Sequence, residues 1–234
     1  MSVRKAAEKM KLVSVHVPKT AGFSFQKHLT HLFGKRAIWD YNHTDRPDYK
    51  PEPPTPYLLA QLRTNKTTVI HGHFFLSRYR HIPGLQRAMW FRDPVERLLS
   101  HYYYWLKAKD DTHPNCRRLH EEGLSILEFA KIKELRNVYA RFLDGEMVDE
   151  LNWVGLVEDY QDSIDLFYAM YAVGRDPHEL QAHENRNAAR KGDQYEIDPM
   201  LRVELETLNA KDYDIYRGVK EKFEELKDRY GGGY

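Results

Sequence analysis

Apolar residues fall along this chain in short blocks, and blocks with the period of a strand alternate with blocks at helical spacing. The first, Leu12-Val13-Ser14-Val15-His16-Val17, is a β-branched run of strand length that stops at Pro18. Phe25, His28, Leu29 and Leu32 then recur at helical spacing, with Gly34 placed to end that helix. Strand, tight loop and helix make the opening of a βα unit. Thr67-Thr68-Val69-Ile70-His71 and Ala88-Met89-Trp90-Phe91-Arg92 repeat the strand pattern, the first running into Gly72-His73. The second runs into Asp93-Pro94-Val95-Glu96, where Asp93 suits an N-cap, Pro94 the first helical position and Glu96 a capping box. Five prolines within residues 46–57 predict a surface loop.

From residue 110 the pattern turns mostly helical. Ser125-Ile126-Leu127-Glu128 reads as a capping box, followed by Phe129, Ile132, Leu135, Tyr139 and Phe142 on one helical face and Gly145 beyond. Trp153-Val154-Gly155-Leu156-Val157 is a fourth strand candidate. Ile164, Phe167, Met170 and Val173 form an amphipathic helix that should end at Gly174. Residues 182–197 are polar and irregular, and Tyr213, Tyr216, Val219, Phe223, Leu226 and Tyr230 give the stripe of a last helix. Strands alternating with helices predict an α/β fold, a mostly parallel central sheet with helices on both faces. No internal repeat or linker divides residues 1–234, so a single domain is expected. In such sheets ligands bind beyond the C-terminal ends of the strands.

Composition narrows the classes. At 41% hydrophobic and 13% aromatic the chain is too apolar to be disordered. Its 36 Lys and Arg against 35 Asp and Glu leave a net charge of +1, which excludes a basic nucleic-acid coat but not a local cationic pocket. A single cysteine, Cys116, excludes an intramolecular disulfide framework and a multi-cysteine zinc site. No window approaches the roughly eighteen apolar residues of a membrane span. Residues 1–11 are charged and lack a signal peptide's apolar run. A soluble, cytoplasmic protein is expected.

Three strand ends carry unusual polar residues. Pro18-Lys19-Thr20-Ala21-Gly22-Phe23-Ser24 enters a helix N-terminus, where free amides and the helix dipole favour a phosphate, with Lys19 adding charge and Thr20 and Ser24 adding hydroxyls. It lacks the leading glycine and the Gly-Lys-[Ser/Thr] ending of a Walker A loop. Arg92 leaves another strand tip and Ser100 lies about two turns down the next helix. An arginine fork with a hydroxyl suits a phosphomonoester, although a helix-capping ion pair would use the same residues. At the third end His71-Gly72-His73 offers imidazoles for proton transfer near neutral pH, and no cluster of metal-ligand spacing stands beside them.

Taken in order, these segments resemble the PAPS-dependent sulfotransferases, specifically the carbohydrate 2-O-sulfotransferase branch that acts on the hexuronic acids of heparan and dermatan sulfate. His16-Val17-Pro18-Lys19-Thr20-Ala21-Gly22-Phe23-Ser24-Phe25 is similar to the family's 5′-phosphosulfate loop. The run from Phe91 through Arg92, Ser100 and His101 to Tyr102-Tyr103-Tyr104 is similar to its 3′-phosphate segment, and His71-Gly72-His73 to its catalytic His-Gly-His. The chain shows neither the anchor nor the disulfides of Golgi members, so the resemblance is to a soluble, prokaryotic-type member, and residues 112–150 match the animal enzymes poorly.

The resemblance implies a P-loop-NTPase-like three-layer fold and the donor PAPS (3′-phosphoadenosine 5′-phosphosulfate), with PAP as product and no metal. Lys19, Thr20, Ala21, Gly22, Phe23 and Ser24 would hold the 5′-phosphosulfate, and Arg92 and Ser100 the 3′-phosphate. His73 would be the general base, with His71 assisting, and Lys19 would neutralise the leaving oxygen. Arg190 and Lys191, in Asn185-Arg186-Asn187-Ala188-Ala189-Arg190-Lys191-Gly192, would close over the nucleotide, although a solvated charged loop fits them equally well. The acceptor would be a saccharide hydroxyl. A P-loop-like nucleotide kinase and a non-catalytic nucleotide- or glycan-binding module remain the alternatives.

Overall fold

The computed structural model of the protein describes residues 11–42, 44, 46–47, 49–63, 67–108, 112–172, 175–180 and 194–231. Five strands, β1 (Leu12–Val15), β2 (Ala37–Trp39), β3 (Val69–Gly72), β4 (Gln86–Phe91) and β5 (Trp153–Leu156), form one sheet in the order β2-β3-β1-β4-β5. Every pairing is parallel. In β1, β3 and β5 every residue is buried. Successive strand residues point to opposite faces, so these strands are covered on both.

Nine helices flank the sheet among the described residues: α1 (Gly22–Phe33), α2 (Pro56–Arg63), α3 (Pro94–Ala108), α4 (Pro114–Glu122), α5 (Ile126–Ala130), α6 (Val138–Leu143), α7 (Tyr160–Tyr171), α8 (Pro199–Leu208) and α9 (Ala210–Tyr230). Helix α1 packs on β2 and β3, and α7 and α9 pack on β5. The main core gathers Phe25, Trp90, Trp153 and Phe167 around the sheet. A second core joins α3, α4, α5 and α8 through Leu98, Trp105, Cys116, Phe129 and Leu205. No described helix is long and apolar enough to cross a membrane.

Two expected elements differ. The capping box at Ser125 forms, with Glu128 N donating to Ser125 Oγ and Ser125 N to Glu128 Oε2 (2.8 Å), but the expected single helix over residues 125–142 is broken. Helix α5 stops at Ala130, a 3₁₀ turn spans Lys133–Leu135, and Asn137 takes φ 46° before α6 starts. The break lets one apolar stripe serve both cores: Phe129, Ile132 and Leu135 fill the helical one, Tyr139 and Phe142 the sheet core. Asn137 is pinned there by Asn209 Oδ1 at 3.2 Å. At α3, Asp93 Oδ1 accepts from Val95 N and Glu96 N at 3.0 Å as expected. Glu96 makes no capping box: its carboxylate takes Tyr195 N at 3.0 Å and Arg202 at 2.6 Å, tying residues 194–208 to α3. The proline-rich stretch runs into α2 at Pro56, a position at which proline starts a helix well. Val173 and Gly174 lie outside the described residues, as does most of the polar stretch at residues 182–197.

Register sets up the site. Val15 pairs with both Gly72 and Met89, so β1, β3 and β4 end at one edge of the sheet. The chain crosses from one side of β1 to the other between β3 and β4, which makes this edge a topological switch point.

Candidate active site

Beyond β1 the chain turns sharply over Pro18-Lys19. Thr20 is fully buried and its hydroxyl donates to the Val17 carbonyl at 2.8 Å. Thr20 therefore helps to close the turn, its O–H donating to the main chain. Lys19 (φ 73°) and Ala21 (φ 61°) both take the left-handed conformation that brings α1 in at Gly22. No side chain caps α1, so the first-turn amides lack an internal partner. Ser24 is half-buried on that turn, whereas the Phe23 ring points outward and is 70% exposed.

Two cations converge on this loop. Lys19 Nζ lies 4.0 Å from the centroid of Tyr104. Burial, reinforced by the charge of Arg92, pulls the Lys19 ammonium down to about 8. Arg92 is buried at the end of β4, and its Nε and Nη2 have no hydrogen-bond partner. Its backbone is clamped by Tyr139, whose hydroxyl accepts from Arg92 N at 2.9 Å and donates to Arg92 O at 2.6 Å. Ser100 is buried on α3, and Tyr104 follows four residues later on the same face. The Tyr195 ring lies 6.0 Å from the guanidinium. Neither Lys19 nor Arg92 has an ion pair among the described residues. Arg92 is buried and Lys19 half-buried; unpaired cations withdrawn from water are costly, and an anion bound between them offsets that cost.

Beside the cations stands a group of imidazoles. His71 is fully buried, with Nδ1 3.0 Å from Ser14 Oγ. Burial, then the neighbouring His73, lowers its pKa to about 3. His16 stacks on His71 at 5.3 Å and meets His73 at 4.4 Å, and its Nδ1 lies 3.2 Å from Tyr41 Oη. Burial also holds His16 well below the ordinary histidine range. His73, half-buried, is the imidazole of the three that reaches the surface. Among the described residues no group of three or more His, Cys, Asp or Glu is arranged to hold a metal ion.

Both glycines here are required by close approach. A Cβ on Gly22 would lie 1.9 Å from the His16 ring, and one on Gly72 would lie 1.9 Å from the Asp40 carbonyl oxygen. The second contact arises because Asp40 N and Asn42 N donate to the carbonyls of His71 and His73, both at 3.0 Å, extending β2 alongside the histidines. Gly72→Ala must separate these backbones. We expect it to lower stability by about 1–3 kcal/mol, the usual size for overpacking, as a shifted urea midpoint with unchanged slope.

The structure thus brings together Lys19, Ala21, Gly22, Ser24, His71, His73, Arg92 and Ser100, with Thr20 behind them as a loop former. Arg190 and Lys191 lie outside the described residues. Sequence reasoning missed the parts tertiary pairing supplies: Tyr41, delivered by β2, Tyr195, delivered by Glu96, and Tyr139, which locks Arg92. His16 was legible as the end of a strand and the start of the phosphosulfate-loop segment, but not as a member of the imidazole group. Tyr104 was visible in the tyrosine run, but aromatics at helical spacing read as core.

A family model described as "Sulfotransferase family" matches residues 5–217. Among solved structures, the chain is similar to a crystal structure of a sulfotransferase from Alicyclobacillus acidocaldarius, at 15% identity and a TM-score of 0.49, covering 87% of this chain and 92% of that one. No curated protein matches the chain.

Proposed function

The chain belongs to the sulfotransferase family, and we propose that it moves the sulfuryl group of PAPS to a saccharide hydroxyl, as a soluble, prokaryotic-type relative of the carbohydrate 2-O-sulfotransferases. The observation that carries this reading is the Arg92 guanidinium, buried with Nε and Nη2 unpartnered and within electrostatic range of a second cation, Lys19, that has no ion pair among the described residues. A dianionic 3′-phosphate supplies the missing acceptors to Arg92, with Ser100 adding a hydroxyl. The uncapped amides of α1 and the Lys19 ammonium suit the 5′-phosphosulfate.

Sulfuryl transfer is an in-line displacement. The acceptor oxygen forms a bond to sulfur while the bond from sulfur to the bridging oxygen breaks, leaving its electron pair on the 5′-phosphate. Lys19 neutralises that developing charge. His73 takes the proton from the acceptor hydroxyl. His71, neutral through the physiological range and fixed on Ser14, sets the position of the histidine group. Positioning and electrostatics supply most of the acceleration, as in phosphoryl transfer.

Lys19 provides a test through pH. Its free-enzyme pKa of about 8 lies below the ordinary lysine value, and bound phosphates must raise it. The charged form binds, so affinity for PAP holds steady below pH 8. It then falls by up to about tenfold per pH unit above it, because binding must take up a proton. Calorimetry with PAP from pH 6.5 to 9.5, with Lys19→Arg as control, checks this. The control should flatten the profile, and a flat wild-type profile would contradict the role given to Lys19.

A further inference from the structure

Burying apolar surface is worth about 25 cal/mol per Å², so large exposed rings gathered at one place mark a surface kept open for a ligand. Ten large apolar side chains are exposed among the described residues, and four of them, Phe23, Trp39, Tyr41 and Tyr104, stand at this one edge of the sheet. Tyr104 covers Lys19 on the donor side. The other three face the imidazoles. The Phe23 ring lies edge-on to His16 at 5.5 Å, Tyr41 lies 4.9 Å from His73, and Trp39 meets His71 at 6.0 Å. They come from three places in the chain: the first turn of α1, the last residue of β2, and the stretch paired beside His71-Gly72-His73.

We propose that Phe23, Trp39 and Tyr41 form the acceptor subsite, and that the acceptor presents an uncharged ring with C–H groups toward these aromatics beside its reactive hydroxyl. The inference rests on the sulfuryl-transfer reading and sharpens it. It moves the Phe23 side chain from the donor loop to the acceptor, while its backbone stays with the donor. Aromatic faces carry partial negative charge and favour C–H edges over anions. Lys19, the cation acting on His16, is committed to the donor. Among the described residues a carboxylate-bearing uronate would find aromatic rings here in place of an arginine fork. Tyr41 adds a hydroxyl at the rim, held by His16 and Gln26.

The test uses labelled PAPS with methyl β-glucoside, 2-naphthol and an unsulfated glucuronate-containing polysaccharide as acceptors, and PAP calorimetry in parallel. One of the neutral rings should exceed the polysaccharide in kcat/KM by about tenfold or more, and the ratio of the two identifies sugar or phenol. Phe23→Ala should raise the acceptor KM about five- to tenfold, the scale of one aromatic contact, with kcat and PAP affinity little changed, and Phe23→Trp should restore it. Preference for the glucuronate polymer overturns the inference. So does an unchanged KM in Phe23→Ala, or a loss of PAP affinity in step with acceptor affinity. A wild-type protein that binds no PAP overturns the underlying reading, and the subsite with it.

Discussion

Replacing His73 by alanine should lower kcat by about 10²–10⁴-fold, the usual contribution of a general base, while PAP affinity stays near the wild-type value. The expectation follows from the three imidazoles. His71 is sealed beneath the sheet edge, and its strongly lowered pKa makes it a poor proton acceptor. His16 is likewise buried and held by Tyr41. His73 alone of the three combines contact with the group and access to the surface. Added imidazole should recover part of the rate in His73→Ala, which a merely unfolded variant would not allow. Unimpaired turnover in this variant would remove His73 from the role.

The second large effect is at Arg92. Arg92→Ala should weaken PAP and PAPS by roughly 30- to 700-fold, equivalent to about 2–4 kcal/mol for losing a buried, charge-assisted pair of hydrogen bonds. A nucleotide without the 3′-phosphate should bind wild type and variant alike. That selectivity separates a specific phosphate contact from a general loss of positive charge, and equal losses for both ligands would refute it. Because Tyr139 clamps the Arg92 backbone through its hydroxyl, the variant retains the local main-chain anchor and should stay folded.

The sequence made part of this site readable for a physical reason. Strands β1, β3, β4 and β5 are buried runs whose apolar residues declare themselves, and their polar exits, Lys19, His71, His73 and Arg92, stand out against that background. Strand β2 is three residues long and incompletely buried at the sheet edge, so no period could reveal it, and Tyr41 was lost with it. The break at Asn137 was equally hidden, since its left-handed backbone is stabilised by Asn209, seventy-two residues away. Thr20 shows what residue type leaves out: its hydroxyl donates to the Val17 carbonyl and so also shapes the turn over Pro18.

The near-balance of charge conceals this arrangement. With a net charge of +1 the chain still places a half-buried Lys19 and a buried Arg92 within electrostatic range of one another, neither in an ion pair among the described residues. The most direct measurement is transfer from sulfur-labelled PAPS across polysaccharide, glycolipid and small-alcohol acceptors. The account predicts label on an acceptor hydroxyl and one PAP released for each sulfuryl group moved. PAP binding with no transfer to any acceptor, or turnover of ATP with magnesium in its place, would contradict it.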